Sequence, residues 1–219
     1  MAGQTATWIG NRNPPGRSLV ELWREDFEAH DRELSPGFWA VAVHRFGNWR
    51  MSVGSRPLRL PLSLLYRFLN ARIRNTYGIQ LDYSTELGRR VVIDHQNGIV
   101  ISGYCRIGDD CRLRQNITMG IRSVDDAASG GAPVLGRGVD VGAGAVILGP
   151  ITVGDGAVVG ANAVVLGDVP PGALAVGVPA KVIDRGRRGR DRSGPAAGSV
   201  VANGDAERAR GETGTEHHP

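Results

Sequence analysis

The 219-residue sequence predicts a mainly β fold, a parallel β-helix preceded by a short N-terminal helical cap. A six-residue period, an excess of glycine and a scarcity of aromatic residues support this prediction. The period is set by aliphatic residues in three blocks: Leu81, Leu87 and Ile93, then Ile101, Ile107, Leu113 and Met119, and finally Leu135, Val141, Ile147, Val153, Val159 and Val165. Such hexads are typical of parallel β-helices, and three of them form one triangular coil. These thirteen hexads therefore predict roughly four coils.

A second series lies four residues after each aliphatic position and consists of small or modest apolar residues. It contains Thr85, Val91, Cys105, Cys111, Ile117, Val139, Ala145, Ile151, Ala157, Ala163 and Val169, with Asn97 as its polar exception. We expect these residues to let the chain turn the corners of the triangle. No helix-length segment with a 3.6-residue period occurs over residues 87–169, which argues against an ordinary α/β fold.

Composition narrows the function classes. Glycine, at 32 residues, is about twice its usual share, and aromatic residues make up only 5%. The net charge is +4, and the excess is too small and scattered for a nucleic-acid-binding surface. Cys105 and Cys111 both fall in the small inward series, so we expect buried thiols rather than a disulfide framework or a nucleophile.

The ends of the chain predict a division into four segments. They are a disordered arm over 1–17, a helical cap over 18–77, the β-helix over 78–183 and a disordered Arg/Gly-rich tail over 184–219. Apolar stripes in the cap predict helices over 18–30, 36–49 and 61–77. No secretory signal and no apolar run of membrane-spanning length is apparent, so the expected location is the cytoplasm, without a membrane span.

The six-residue register breaks twice, and breaks in a repeat predict loops that carry function. Two extra residues enter the run IDHQNGIVI, which contains His95. About ten extra residues follow Met119, around IRSVDDAASGGAP, and predict a projecting loop beside the site.

Three segments carry a resemblance to a known family. They read GIQLDYSTELGRRVVIDHQNGIVIS, IGDDCRLRQNITMG and VGAGAVILGPITVGDGAVVGANAVVLGDVPPGALAVGVPAKVI. Over about residues 36–183 they resemble the serine acetyltransferase family of hexapeptide-repeat transferases, and equally the related enzymes that acetylate exopolysaccharide sugars of the colanic-acid type. The resemblance implies a left-handed β-helix, acetyl-CoA as co-substrate, and a homotrimer with active sites between adjacent β-helices.

His95 is the only histidine in the predicted β-helix and is the candidate general base. An unperturbed imidazole has a pKa of about 6.5, so it can take a proton from an attacking hydroxyl near neutral pH. No serine or cysteine nucleophile motif accompanies it, which favours direct attack of the acceptor oxygen on the thioester over an acyl-enzyme. The resemblance adds Asp94, which in the family pairs with the amine of the acceptor.

The remaining site residues are inferred from the resemblance and from side-chain size. The backbone N–H of Gly120, in the TMG run, is the candidate oxyanion donor. The pantetheine arm is expected beside small residues of later coils, and Lys181 of GVPAK matches the family's basic residue near CoA. The small residues are Ala143, Gly144, Gly160 and Ala161.

Two departures from the family bear on activity and acceptor. The carboxylate that orients the family's histidine, fifteen residues earlier, is replaced here by Gln80, so either Asp82 substitutes for it or the enzyme is slower or inactive. A comparable carboxylate-to-amide change in a serine protease costs on the order of 10⁴ in kcat. The family's Arg–His pair, which holds the carboxylate of serine, corresponds to Gly131 and Ala132.

These departures leave several functions open. The acceptor is serine, as in the family, or a sugar, exopolysaccharide or specialised-metabolite hydroxyl, and loss of the Arg–His pair slightly favours the latter. A catalytically inactive trimeric scaffold is the alternative of another class, and Gln80 is the feature that favours it. A metal-dependent β-helix enzyme would need several histidine ligands, so no metal is expected.

Overall fold

The computed structural model describes residues 10–123 and 131–184, which form three helices, a 3₁₀ turn and fifteen short strands. The helices are α1 (Leu19–Ala29), α2 (Pro36–Trp49) and α3 (Arg56–Tyr77), with the 3₁₀ turn at Arg50–Ser52. The strands are β1 (Ile79–Leu81), β2 (Glu86–Leu87), β3 (Val92–Ile93), β4 (Ile99–Ile101), β5 (Arg106–Ile107), β6 (Arg112–Leu113), β7 (Thr118–Gly120), β8 (Val134–Leu135), β9 (Asp140–Val141), β10 (Val146–Leu148), β11 (Thr152–Val153), β12 (Val158–Val159), β13 (Val164–Val165), β14 (Leu174–Val176) and β15 (Lys181–Ile183).

Up to β13 every third strand stacks, which gives a β-helix with three faces, and β14 and β15 extend the third face. The first face has the order β1-β4-β7-β10-β13, the second β11-β8-β5-β2, and the third β15-β14-β12-β9-β6-β3. All pairings are parallel except that of β14 with β15, which is antiparallel. The predicted parallel β-helix of about four coils is confirmed.

The register locates both breaks of the repeat. Val146 pairs with Val164, which is the regular spacing of eighteen residues. Ile79 pairs with Ile99, so the first coil contains two additional residues. Thr118 pairs with Val146, so the third coil contains ten additional residues, of which 124–130 lie outside the described residues.

The interior of the β-helix is the predicted aliphatic column. All thirteen aliphatic positions of the hexads are buried, and so is the second series, apart from the exposed Asn97. Cys105 and Cys111 are fully buried. Burial raises the pKa of the Cys105 thiol to about 12 and that of Cys111 to about 11, which confirms that they fill the core.

Local capping explains where the helices begin and end. Ser18 and Glu21 form a capping box at the start of α1, and Ser35 caps α2, which has Pro36 in its first turn. The apolar stripe predicted that the third helix starts at residue 61, but α3 begins at Arg56. Pro57 lies in the first turn, where a missing N–H costs nothing, and the helix continues through Pro61.

The helical cap, comprising α1, α2 and α3, is joined to the first coil by buried polar contacts. The Arg45 side chain donates from Nε to Asp26 Oδ2 at 3.0 Å and from Nη1 to the carbonyl oxygen of Leu87 at 2.8 Å. Asn48 Nδ2 donates to the Tyr83 carbonyl at 2.7 Å. The contacts of Arg45 with Leu87 and of Asn48 with Tyr83 reach backbone carbonyl groups of the β-helix, so they set the position of the cap.

Part of the predicted disordered arm packs against this joint. The backbone N–H of Arg12 donates to Asn48 Oδ1 at 3.0 Å, and Asn13 Nδ2 donates to the Arg45 carbonyl at 2.9 Å. Residues 12 and 13 are thus hydrogen-bonded to buried residues of the cap. Residues 1–9 and 185–219, the rest of the arm and nearly all of the tail, lie outside the described residues. Within the described part, no helix is long and apolar enough to cross a membrane.

Candidate active site

One corner of the β-helix, between its third and first faces, carries most of the predicted site residues. His95 follows β3, Ala143 and Gly144 follow β9, and Ala161 follows β12. Backbone hydrogen bonds join successive coils along this corner. They run from Asn116 N to Asn97 O (2.9 Å), from Gly144 N to Gln115 O (2.9 Å) and from Asn162 N to Ala143 O (2.8 Å). Residues from separate hexads therefore form one continuous edge.

The turn that bears His95 has a left-handed backbone. His95 has φ = 63° and Asn97 has φ = 96°, a region in which residues other than glycine are uncommon. Corner residues of other coils, Asn116 and Asn162 among them, share this conformation, so it belongs to the turn geometry of the β-helix. The His95 side chain is exposed, and no described residue makes a hydrogen bond or ion pair with its imidazole. The ring is therefore available to a ligand.

The helical cap holds the backbone just before this turn. The N–H of Ile93 donates to His30 Nε2 at 3.3 Å. On α2, a Cβ added to Gly37 would lie 2.0 Å from the Ile93 carbonyl oxygen. Both polar groups of Ile93 thus contact the cap, two residues before His95. These positioning contacts were not found by sequence reasoning, because no repeat relates residues 30 and 37 to 93.

Asp94 already has a cationic partner. Arg112 Nη1, on the neighbouring strand β6, lies 2.7 Å from Asp94 Oδ2. Further along the same face, Arg114 is paired with Asp140. The carboxylate expected to meet an acceptor amine is therefore neutralised by a guanidinium of this chain. Charged residues at outward positions of adjacent coils were the available signal for this pairing.

A groove with both polar and apolar lining lies on the first face and contains the other predicted catalytic residues. It has a volume of about 510 Å³ and is lined by Gln80, Asp82, Ser84, Val100, Ile101, Ser102, Gly103, Tyr104, Thr118, Met119, Gly120, Ile121 and Leu148. Gly120 is the last residue of β7 and pairs with Leu148. Gln80, Asp82 and Gly120 are thus brought together, whereas His95 and Asp94 do not line this groove.

The structure does not bring Asp82 to His95. Asp82 follows β1 at the corner between the first and second faces, and its Oδ1 accepts from both the N–H and the hydroxyl of Ser84 at 3.0 Å. This corner lies at the opposite end of the first face from His95. Gln80 is on β1, which pairs with the strand after His95, and no hydrogen bond between described atoms joins its amide to the imidazole. Neither side chain orients His95 within one protomer.

The four small residues proposed for CoA divide into two groups. A Cβ on Gly144 would lie 2.1 Å from Asn162 Oδ1, and one on Gly160 would lie 2.6 Å from Val176 Cγ1. In both cases the atom met is a side-chain atom of the neighbouring coil. Ala161 is exposed and Ala143 is partly exposed at the corner. Lys181 is exposed on β15, at the C-terminal end of the third face.

The positions that replace the family's Arg–His pair are closed to solvent. Gly131 and Ala132 are both buried, and Ala132 belongs to the hydrophobic core. Neither position presents a cationic side chain. The segment before them, 124–130, lies outside the described residues.

Comparisons with known proteins agree with this architecture. The chain is 36% identical over 162 residues to WcaB, an acetyltransferase assigned to colanic acid biosynthesis in Escherichia coli (strain K12), covering 72% of this chain and 96% of that protein. Soybean serine acetyltransferase, solved as the apoenzyme, matches with 33% identity and a TM-score of 0.62, covering 76% of this chain and 69% of the other. The chain belongs to the serine acetyltransferase family of hexapeptide-repeat transferases.

This serine acetyltransferase family member spans little more than half of the curated serine acetyltransferases that it matches. It is 37% identical to the enzyme of Mycobacterium tuberculosis (strain H37Rv) over 150 residues, 68% of this chain and 61% of that protein. For the enzyme of Salmonella typhimurium (strain LT2) the identity is 35% over 156 residues, 71% of this chain and 53% of that protein. No family model matches the chain.

Proposed function

We propose that this protein is an acetyl-CoA-dependent O-acetyltransferase in which His95 is the general base. The observation that supports this most strongly is the exposed imidazole without a partner among the described residues, on the corner that also presents Ala143 and Ala161. The left-handed turn and the contacts of the cap with Ile93 hold the backbone next to that imidazole in a defined place. Two alanines on the same edge leave room for an extended pantetheine arm.

The reaction is a direct transfer without an acyl-enzyme. The imidazole of His95 takes the proton of the acceptor hydroxyl while the oxygen attacks the thioester carbonyl carbon. The oxyanion of the tetrahedral intermediate is stabilised by a backbone donor, for which Gly120 is the candidate. The C–S bond then breaks, and the imidazolium returns its proton to the leaving thiolate, which yields the acetyl ester and CoA.

The acceptor that fits best is a neutral, hydroxyl-rich molecule, a saccharide or a specialised metabolite, rather than serine. The Asp94 carboxylate is already paired with Arg112, and the buried Gly131 and Ala132 provide no cation for a carboxylate. The groove offers amide and hydroxyl groups together with Tyr104. Such groups hydrogen-bond to sugar hydroxyls, and an aromatic ring packs against a sugar face.

We further propose a homotrimer that works in the cytoplasm. Within one protomer, the groove with Gly120 and the corner with His95 are separate. A neighbouring copy would bring one protomer's groove against another's corner and so complete the site. Light scattering is expected to give three chains, and a monomer with full activity would contradict this assembly.

The experiment is CoA thiol release with serine, homoserine and a panel of sugars, comparing His95→Asn with the matched variant Gln96→Ala. Asparagine tolerates the left-handed backbone at residue 95 but cannot take the proton. We expect kcat to fall by about 10²–10⁴ for His95→Asn and to stay near the parent value for Gln96→Ala, an exposed residue of the same turn. Turnover retained in His95→Asn would refute the role of His95, and a preference for serine would refute the saccharide acceptor.

Gln80 supports a second candidate, an inactive trimeric scaffold, since no carboxylate orients the imidazole. Gln80→Asp separates the two. If Gln80 merely lowers the rate, the variant should release thiol faster than the parent. If neither the parent nor Gln80→Asp binds acetyl-CoA in calorimetry, the scaffold is the better description.

A further inference from the structure

The outward face of α3 is apolar. Leu60, Leu64 and Phe68 follow one another at four-residue spacing, which aligns them along one side of the helix, and all three are exposed. Leu64 is 57% exposed and Phe68 is 67% exposed. The opposite side of the same helix buries Tyr66 and Ile73 in the core. A surface helix normally presents polar groups to solvent, so a second apolar stripe indicates a second partner.

The charge of α3 has one sign only. The helix contains no aspartate or glutamate, and its five charged residues are Arg56, Arg59, Arg67, Arg72 and Arg74. Among the residues that the structure describes, none of these arginines forms an ion pair. Helix α1 differs, because it carries four acidic residues and a single arginine. The outer face of α3 therefore matches a partner that is both anionic and apolar.

We propose that α3 docks the protein on an anionic lipid surface and lies in the plane of that surface. Amphipathic helices with leucine, phenylalanine and arginine bind in this way, with the apolar side chains at the acyl boundary and the guanidinium groups among the phosphates. A second copy of the same helix would bring arginines against arginines with no acidic residue between them, and like charges directly opposed are unfavourable. No helix of the described part can span a bilayer, which leaves surface docking.

The place of α3 in the fold gives this docking a consequence for the groove. Gly78 ends the helix in a left-handed conformation, and β1 begins at the next residue. Gln80, which lines the groove, is thus two residues from the end of the docked helix. Docking would hold the groove close to the lipid surface.

The test is flotation of the full chain with vesicles of phosphatidylcholine, with and without phosphatidylglycerol, at low and high salt. The chain is expected to float with the phosphatidylglycerol vesicles only, and less at high salt. Leu64→Gln combined with Phe68→Gln should lower binding at least about tenfold, because two apolar side chains are lost from the interface. Val20→Gln on the acidic helix α1, which replaces an apolar residue that is 70% exposed, is the matched control and should bind as the parent does.

A second variant tests charge without touching the apolar stripe. Arg67→Gln with Arg74→Gln should weaken binding to phosphatidylglycerol vesicles by about fivefold per arginine. Absence of flotation, or equal flotation with pure phosphatidylcholine, would overturn the proposal. Unchanged vesicle binding of the Leu64→Gln, Phe68→Gln variant would also overturn the proposal. The binding would then come from another basic segment of the chain. If the parent does not bind vesicles and the Leu64→Gln, Phe68→Gln variant forms a smaller assembly in light scattering, the outward face of α3 is a contact between copies of the chain.

Discussion

The helical cap buries charged and polar side chains, whereas the β-helix keeps its charges outside an aliphatic interior. Of the buried polar residues in the described chain, Asp26, His30, His44, Arg45, Asn48 and Arg50 belong to the cap and only Thr85 to the coils. The ion pairs within the coils lie at the surface, and some, such as Arg137–Asp155, are exposed on both sides. The coils are stabilised by many equivalent apolar contacts in the interior. The cap depends on a few buried polar contacts that are not repeated elsewhere in the described chain. Since the cap contacts Ile93, the same few contacts also place His95.

The largest effect should come from breaking the buried pair of the cap. Asp26 and Arg45 are both fully buried, so Asp26→Asn leaves an uncompensated guanidinium in the interior. We expect a loss of about 3–5 kcal/mol in the free energy of unfolding. Urea denaturation measures it, and Asp155→Asn, which breaks an exposed pair, should cost less than about 1 kcal/mol. Equal losses of unfolding free energy in Asp26→Asn and Asp155→Asn would contradict the claim that the cap depends on a few buried contacts and the coils do not.

A smaller effect is expected where α2 packs on β3. Gly37→Ala would place a methyl group 2.0 Å from the Ile93 carbonyl oxygen, and the helix would have to move away. We expect about 2–3 kcal/mol of destabilisation, the upper part of the range for over-packing, together with reduced thiol release. Gly167→Ala is the control, since no atom lies within 4 Å of its added Cβ. A stable Gly37→Ala protein with parent activity would show that the cap does not position the turn of His95.

The smallest of the three effects depends on pH. Burial, with a contribution from Arg45, lowers the pKa of His44 to about 3, and its Nε2 lies 3.0 Å from the Thr85 carbonyl oxygen. Between that value and about 6.5 the unfolded chain binds a proton that the folded chain does not, so stability present above pH 6.5 is lost as pH falls. At pH 5 the loss is about 2 kcal/mol.

His44→Gln keeps a donor for Thr85 and removes the titration. The difference in unfolding free energy between pH 7 and pH 5 should therefore be smaller in this variant than in the parent. The same difference in both proteins would exclude His44 as its source.

The sequence predicted the β-helix well because each hexad meets the same environment as its neighbours, so the period identifies the buried residues directly. Leu113 and Val141, for example, are both fully buried as predicted. The cap was predicted only as helices. Its contacts join residues sixty positions apart, such as His30 and Ile93, and no period encodes them.

For the candidate site, the sequence predicted the position of the histidine but not the contacts of its neighbours. His95 was identified from the break in the register, and the structure adds its left-handed backbone. The pairing of Asp94 with Arg112 was missed, although the two residues are eighteen positions apart, which is the length of one regular coil. The role of the glycines at 144 and 160 beside a ligand stays a prediction, and the structure adds that each also faces a side chain of the next coil.

The reversal at β15 has a consequence for how the protein behaves in a crowded solution. An open parallel edge is a template on which coils of other chains can add, which is the first step of fibre growth. Here the last strand runs antiparallel to β14 and carries Lys181, while α2 and α3 contact β1 at the other end. A charged, reversed strand is a poor template for a further parallel coil. The described chain thus ends its own solenoid at both extremities, and this protects a repetitive fold from polymerising.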